Sequence, residues 1–295
     1  MDKPTLLLLG ATGQVGQYLH RTLQPVGTVA APGRERANLE APATLRAVVR
    51  DVEPSIIVNA AAYTAVDDAE EEAERAHAIN AVAPGVLAEE ARRLGAWLVH
   101  YSTDYVFDGT HDRLYTEDDP VAPVNVYGET KAAGEAAVQA AGGRFVTLRT
   151  SWVYSPYRSN FLRTMLRLAE THDTLRVVND QYGSPTWAGW IAEATTSIVQ
   201  QLAADDPTEK RGVYHLCSQG CTSWHGFAEA IMDAFDLAVA VQPIPTRDYP
   251  TPAARPAHTA MTSAKAKARF GCSIPSWRTQ LAACAAAMRD APTKI

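Results

Sequence analysis

Hydrophobic and polar positions follow a repeating order through the first half of the chain. Short, continuous apolar runs of the kind found in buried strands alternate with longer stretches of helical periodicity. The apolar runs predict five strands, at residues 5–9, 28–31, 55–59, 97–102 and 144–149. Because strands that alternate with helices pair in parallel, this order predicts an α/β fold with a Rossmann-like, doubly wound parallel sheet.

The pattern loosens after residue 149. The spacing of apolar residues predicts helices at about 160–171, 190–202 and 224–235, a short strand at 177–178, and a loop in the proline-rich stretch 243–256. We therefore expect residues 1–150 to form the main domain. Residues 151–295 are expected to form mainly a smaller C-terminal lobe, with some segments returning to the main sheet.

Composition and charge narrow the possible partners. The 295 residues are 46% hydrophobic and 20% charged, with a formal net charge of -6 and acids and bases interspersed. Nucleic acids and anionic membranes attract clustered cations, so we expect neither as a partner. The first apolar run, Leu6–Leu9, is too short for a signal sequence or a membrane span, and the four cysteines are scattered. These features predict a cytoplasmic protein.

A glycine triplet follows the first predicted strand. Gly10, Gly13 and Gly16 form the pattern G-x-x-G-x-x-G and open a helix. Glycines let the backbone turn tightly and approach a pyrophosphate, which the N-terminus of the following helix stabilises. Because the triplet lies at the first strand-to-helix turn of an alternating chain, it predicts dinucleotide binding.

The end of the second predicted strand bears on cofactor choice. NAD-selective folds place an acid there, whereas this chain has Gly33 followed by Arg34. Glycine removes a carboxylate that would repel a 2'-phosphate, and the arginine offers a charged fork that could bind one. This favours NADPH as the cofactor, with NADH as a second cofactor that the site could accept. The alternative is that Arg34 is a solvated loop residue.

A candidate catalytic pair lies in the helix that begins near residue 127. Tyr127 and Lys131 are four residues apart and share one helix face, so the lysine cation is expected to lower the phenol pKa. Ser102 and Thr103 end the fourth strand, where sites in open α/β sheets lie. A Thr103 hydroxyl could bind a substrate carbonyl while Tyr127 supplies a proton. An isolated Tyr-x-x-x-Lys match would otherwise be an ordinary surface pair.

With these motifs the chain resembles the extended short-chain dehydrogenase/reductase superfamily and, within it, the dTDP-4-dehydrorhamnose reductase family. The motifs that carry the resemblance span nearly the whole chain: GATGQVG (10–16), NAAAYTAVDDAE (59–70), STDYVFDG (102–109), YGETK (127–131), LRTSWVYSP (148–156), DQYGSPT (180–186), TSWHGFA (222–228) and ARPAHT (254–259).

The resemblance implies NAD(P)H-dependent reduction of the C4 ketone of dTDP-4-dehydro-β-L-rhamnose, with an NAD(P)-binding main domain and a lobe for the nucleotide sugar. Tyr127 would donate the proton, Lys131 would tune it and contact the cofactor ribose, and Thr103 would polarise the ketone. Cofactor contacts are expected at Gly10, Gly13, Gln14, Val15, Gly16, Gly33, Arg34, Asn38, Leu39, Ala61, Ala62, Tyr63, Ser102, Tyr127 and Lys131. The sugar would contact Val66, Thr103, Asp104, Tyr105 and Trp152.

The sequence departs from the family pattern where some relatives bind magnesium between two subunits. Tyr18 replaces a glutamate there, and no acid lies between Thr186 and Trp190. We therefore expect no metal site, and either a monomer or a weak dimer that does not depend on metal.

Two other functions stay open at this stage. Another nucleotide-sugar 4-ketoreductase or an epimerase would share the fold, and a non-catalytic relative would bind NADP as a regulatory subunit. A dehydratase is disfavoured, because Tyr105 follows Asp104 where elimination would need a second acid.

Overall fold

The computed structural model describes residues 3–204 and 208–289. Its strands are β1 (Thr5–Leu9), β2 (Thr28–Ala30), β3 (Ile56–Asn59), β4 (Trp97–Thr103), β5 (Arg144–Thr150), β6 (Val153–Tyr154), β7 (Thr174–Val178), β8 (Tyr182–Gly183), β9 (Thr186–Trp187), β10 (Gly212–His215), β11 (Thr222–Ser223) and β12 (Ala240–Ile244). Its α-helices are α1 (Gln14–Thr22), α2 (Pro42–Val52), α3 (Ala73–His77), α4 (Ala83–Leu94), α5 (Val126–Ala140), α6 (Phe161–Ala169), α7 (Ala188–Ala204), α8 (Trp224–Ala234), α9 (Ala264–Phe270) and α10 (Trp277–Arg289).

Six strands form the main sheet, in the order β2-β1-β3-β4-β5-β10, and every neighbouring pair is parallel. The prediction of a doubly wound parallel α/β sheet is confirmed. The chain leaves β1 toward one edge of the sheet and returns to β3 on the other side of β1. Connections therefore diverge between the carboxyl ends of β1 and β3, which is where such sheets bind ligands.

Both faces of the main sheet are covered by helices. In β1, Leu6 and Leu8 pack with α1, α7 and α9, whereas Leu7 and Leu9 pack with α2, α4 and α5. Alternate residues of a strand point to opposite faces, so burial on both sides requires a continuous apolar run. This explains why the strand boundaries of the sheet are readable from the sequence.

The second half of the chain builds three small two-stranded sheets and a separate core. The pairs are β7 with β12, β8 with β11, and β6 with β9. Helices α6, α8 and α10 pack around Leu162, Phe227 and Trp277. The prediction of a loop at residues 243–256 is wrong for its first two residues, because Pro243 and Ile244 are the last residues of β12. A two-stranded sheet tolerates this proline because both of its strands are edges.

The helical periodicity of residues 69–94 predicts one long helix, but the structure interrupts it. A short 3-10 turn spans Asp68–Glu70, and a π-helical turn, Ala78–Val82, joins α3 to α4. Within that turn, the buried Asn80 amide donates to the Tyr63 carbonyl (3.0 Å) and its oxygen accepts from the Tyr63 N–H (2.9 Å). Asn80 also donates to Thr130 in α5 (3.2 Å). The turn thereby joins the loop after β3 to the helix that carries Tyr127.

Candidate active site

A cavity of about 710 Å³ lies at the carboxyl ends of β1, β3, β4 and β5, and we call it the main cavity. Its walls are the loops that follow these four strands, one face of α5, and segments of the second half of the chain. Fourteen predicted site residues line it: Gly10, Gly13, Gln14, Val15, Ala61, Ala62, Val66, Ser102, Thr103, Asp104, Tyr105, Tyr127, Lys131 and Trp152.

The three glycines of the first loop have different functions in the structure. Gly10 has φ +80°, and a Cβ on Gly16 would lie 1.9 Å from the Gly10 carbonyl oxygen, so these two shape the loop. Around Gly13 the nearest atom to a Cβ would be 3.3 Å away, and the residue faces the main cavity. Gly13 also precedes α1 without a side-chain cap. Free N–H groups beside open space fit the approach of a pyrophosphate.

Tyr127 and Thr103 both line the main cavity, and the Thr103 hydroxyl lies close enough to the phenol to affect its pKa. The pKa of Tyr127 is raised to about 12, mainly by desolvation and also by the nearby Asp104 carboxylate, while the Thr103 hydroxyl opposes this rise. The structure raises this pKa instead of lowering it, because desolvation dominates and Lys131 is not among the groups that shift it. The phenol therefore keeps its proton at neutral pH.

Lys131 is 2% exposed, and its Nζ donates to the Tyr101 carbonyl at 2.6 Å. Burial lowers the pKa of this ammonium to about 8, while Glu135, one turn further along α5, raises it. Arg149 binds the Glu135 carboxylate with two hydrogen bonds, of 2.9 and 2.6 Å. Because Arg149 already pairs with Glu135, that carboxylate offsets only part of the cost of burying the Lys131 charge. Lys131 can therefore lose its proton close to neutral pH.

Asp104 joins three segments beneath the main cavity. Its carboxylate accepts hydrogen bonds from Thr103 (3.2 Å), Ser151 (2.9 Å) and Thr259 (2.5 Å). Burial raises its pKa to about 6, against the lowering effect of these hydroxyls. The carboxylate is thus engaged by protein hydroxyls and holds the ends of β4 and β5 together with the 254–259 segment.

Two tryptophans, Trp152 and Trp224, form an aromatic wall in the lining of the main cavity. Trp152 and Trp224 stack with ring centroids 3.4 Å apart and planes within 2° of each other. Trp152 has φ +45°, an unusual backbone conformation for a tryptophan. A Cβ at Gly183 would lie 2.4 Å from the Trp152 ring, so glycine is required there. Across the cavity, Tyr105 packs edge-on against Tyr127 at 5.8 Å.

The remaining predicted cofactor residues lie outside the lining of the main cavity. The Arg34 guanidinium pairs with Glu40 and its side chain is 65% exposed, next to Gly33 and Asn38. Leu39 packs in the core below β1, and the Tyr63 hydroxyl donates to Glu72 at 2.9 Å. Gly16 lies behind the glycine loop, against Gly10. Cofactor contacts by these six residues stay predictions.

The sequence reasoning missed several residues that line the main cavity. They include Thr12, Thr64, Tyr101, Arg158, Ser159, Asn160, Phe161 and Trp224. The 158–161 segment is tied to the glycine loop, since Gln14 Oε1 accepts from Asn160 (2.9 Å) and from Ser155 (2.8 Å). The TSWHGFA motif contains Trp224 and could have signalled it, whereas nothing in the pattern at residues 158–161 indicated a cavity wall.

Tyr18, one of the residues on which the expectation of no metal site rests, is packed against aromatic rings. Its ring lies 5.4 Å from that of Tyr157 and 5.8 Å from that of Trp187. Across residues 3–204 and 208–289, no group of three or more His, Cys, Asp or Glu side chains is arranged to hold a metal ion. In the same part of the chain, no helix combines the length and hydrophobicity needed to cross a membrane.

A doubly wound parallel sheet, an open glycine loop and a Thr-Tyr-Lys set at the strand ends define an NAD(P)-dependent reductase of the short-chain dehydrogenase/reductase type. The model of the RmlD substrate binding domain family matches residues 4–290. The chain belongs to this family, and several curated proteins that match it over nearly their whole length are named dTDP-4-dehydrorhamnose reductase.

Three known proteins illustrate the relationship. The dTDP-4-dehydrorhamnose reductase of Burkholderia thailandensis is 47% identical over 291 residues, covering 95% of this chain and 97% of that protein. The Salmonella typhimurium reductase is 43% identical over 282 residues, covering 92% and 94%. The crystal structure of the Bacillus anthracis reductase in complex with NADP has a TM-score of 0.88 at 33% identity, covering 96% and 98%.

Proposed function

We propose that the protein reduces the C4 ketone of dTDP-4-dehydro-β-L-rhamnose to dTDP-β-L-rhamnose, with NADPH as cofactor and NADH as a possible substitute. The observation that carries the proposal is that Thr103, Tyr127 and Lys131 line one cavity together with the glycine loop. Family membership supports the substrate, and the NADP-bound relative supports the cofactor.

The proton at the carbonyl oxygen comes from Tyr127. Its pKa of about 12 keeps the phenol protonated at neutral pH, and a developing alkoxide is basic enough to take that proton. The Thr103 hydroxyl, which lies near the phenol in the same cavity, polarises the ketone. Lys131 lies one helical turn from Tyr127 in α5, and its positive charge would favour the phenolate that forms.

The cofactor would be held along the glycine loop. Gly13, Gln14 and Val15 offer the free N-terminus of α1 to the pyrophosphate, and Ala61 and Ala62 line the cavity beside β3. NADPH, when bound, supplies the hydride that adds to C4. Trp152, Tyr105 and Val66 form the sugar side of the cavity, with Asp104 fixing the strand ends behind them.

The experiment is a direct assay. Purified protein should consume NADPH when given dTDP-4-dehydro-L-rhamnose, and mass spectrometry should show a product two hydrogens heavier. The UDP-linked analogue tests the choice of nucleotide base, and dTDP-4-dehydro-D-sugars serve as stereochemical controls. Cofactor binding without turnover would instead identify a regulatory subunit, and a C3 or C5 epimer formed without NADPH consumption would identify an epimerase.

We also propose that the protein is cytoplasmic and works as a monomer or a weak dimer that does not depend on metal. The aromatic packing of Tyr18 against Tyr157 and Trp187 supports the independence from metal, because that position carries no carboxylate. Dialysis against a chelator should change neither turnover nor the mass measured by light scattering. A dimer that falls apart on dialysis and returns with magnesium would contradict the proposal.

A further inference from the structure

Few cationic side chains line the main cavity to balance the negative charge of a cofactor diphosphate. The loop from Gly10 to Gly16 contains no cationic side chain, and the N-terminus of α1 supplies only about half an elementary charge. Among the described residues that line the main cavity, two are cationic, Lys131 and Arg158. Lys131 is buried at the catalytic end and donates to the Tyr101 carbonyl. Arg158 is therefore the cation left for a diphosphate at the loop.

Arg158 is held at the glycine loop by a specific contact. Its Nε donates to the Thr12 carbonyl oxygen at 2.8 Å, across 146 positions of sequence. In the part of the chain that the structure describes, no hydrogen bond or ion pair engages its two terminal nitrogens. A guanidinium has five N–H donors in a planar fork that matches phosphate oxygens, so four donors stay available beside the loop.

The backbone at Arg158 is also unusual. Its φ is +61°, in the left-handed region where glycine is at ease and an arginine is strained. The segment is nevertheless fixed in place, because Ser155 and Asn160 both donate to Gln14 Oε1 (2.8 and 2.9 Å). Strain that surrounding contacts maintain is a feature of ligand-binding segments.

Arg158 and Ser159 line the main cavity and also a second cavity of about 930 Å³, which extends along α6 past Arg163 and Arg167. Arg158 thus stands at the rim between the two spaces. Arg163 donates to the Pro156 carbonyl at 2.7 Å, while Arg167 lies one turn further from the glycine loop. The second cavity supplies matched arginines that do not line the main one.

We propose that Arg158 is a cofactor-binding residue whose guanidinium closes the glycine loop from the second half of the chain and binds the dinucleotide diphosphate. The inference rests on the proposed function, since it presupposes a dinucleotide in the main cavity. It adds a charged contact from a segment that the glycine motif does not include. It also accounts for the left-handed backbone at Arg158, because in that conformation the side chain contacts the Thr12 carbonyl.

The test measures cofactor affinity without substrate, by fluorescence or calorimetry, in the full-length protein. Arg158→Gly removes the side chain and leaves the backbone at ease, so thermal unfolding should change little. The variant should bind NADPH and NADH more weakly to a similar degree, with Kd values raised on the order of ten- to a hundredfold. This is the range expected for the loss of one charge-assisted hydrogen bond. Arg158→Lys keeps the positive charge but lacks the planar guanidinium. Its cofactor affinity should lie between those of Arg158→Gly and the unmodified protein. Arg167→Ala should bind both cofactors as the unmodified protein does.

Three results would overturn the inference. Unchanged affinity for both cofactors would leave Arg158 as a loop contact alone. A loss confined to NADPH would assign Arg158 to the 2'-phosphate, and a raised KM for the dTDP-sugar at unchanged cofactor affinity would assign it to the substrate diphosphate. Because the readout is cofactor binding, it is independent of turnover. Binding without reduction of the sugar would refute the proposed function and leave the Arg158 inference to be decided by the variants.

Discussion

The two ends of the proposed cofactor site differ in how they are built. At the catalytic end, Thr103 and Lys131 are 5% and 2% exposed, and the side chains of these two residues have defined hydrogen-bond partners. At the other end, Arg34 is 65% exposed and its ion pair with Glu40 lies in solvent. Buried groups depend strongly on their surroundings, whereas an exposed ion pair contributes about 0–1 kcal/mol. The chemistry is therefore fixed by the fold, while cofactor choice rests on contacts that can rearrange.

The largest expected effect tests the catalytic end. Tyr127→Phe removes the proton donor and should lower kcat by at least ~100-fold, while NADPH affinity stays close to that of the unmodified protein. Steady-state kinetics and cofactor titration measure the two quantities. Tyr249→Phe is a matched control, because Tyr249 is 60% exposed and lies outside the cavity lining. Normal turnover by Tyr127→Phe would refute the mechanism.

The ionisation of Lys131 gives a second prediction for the same end. Its pKa is lowered to about 8, so the cation is present below that pH and disappears as pH rises through it. If the cation stabilises the Tyr127 phenolate, kcat should be level at neutral pH and fall above pH 8. The folded pKa is below the ordinary 10.5, so the unfolded chain binds more protons between these values and the free energy of unfolding should rise there. A kcat that stays level to pH 10 would contradict this role.

A smaller effect is expected at the aromatic wall. Trp224→Leu removes the ring stacked on Trp152 at 3.4 Å and leaves the strained Trp152 backbone without that support. Such ring pairs contribute about 0.5–1.5 kcal/mol, which corresponds to a KM for the sugar nucleotide raised by roughly two- to tenfold. The KM for NADPH should stay the same. A change in the cofactor KM instead would place the wall at the other end of the cavity.

The smallest effect is expected at the exposed end. Arg34→Ala should reduce the NADPH/NADH ratio of kcat/KM by no more than about tenfold, because Glu40 already competes for the guanidinium. Glu40→Gln releases Arg34 and should raise the same ratio. Arg36→Ala is the control, since Arg36 pairs with Asp51 at 2.9 Å in the same loop region. Opposite shifts in the two variants sharpen the comparison, and no shift in either would make Arg34 a solvated loop residue.

The local sequence pattern predicted those parts of the fold and site that depend on a single physical cause. The strands of the main sheet were predictable because burial on both faces demands a continuous apolar run, as in Leu6–Leu9. The Thr103–Tyr127 meeting was predictable because both residues have fixed places, a strand end and the first turn of a helix. The two-residue strands β8 and β9 were not predictable, since no periodicity fits in two residues. Nor was Arg158, whose place depends on a positive φ and on a partner 146 positions away.

The return of β10 to the main sheet has a consequence for how the protein can be divided. β10 pairs along β5, and α7 covers the sheet face that holds Leu6 and Leu8. A fragment ending at residue 150 would expose the β5 edge and that apolar face, which are the features that drive strands to aggregate. The cofactor half is therefore no transferable module. A split reporter cut at residue 150 would have to reassemble this interface before it could bind a nucleotide.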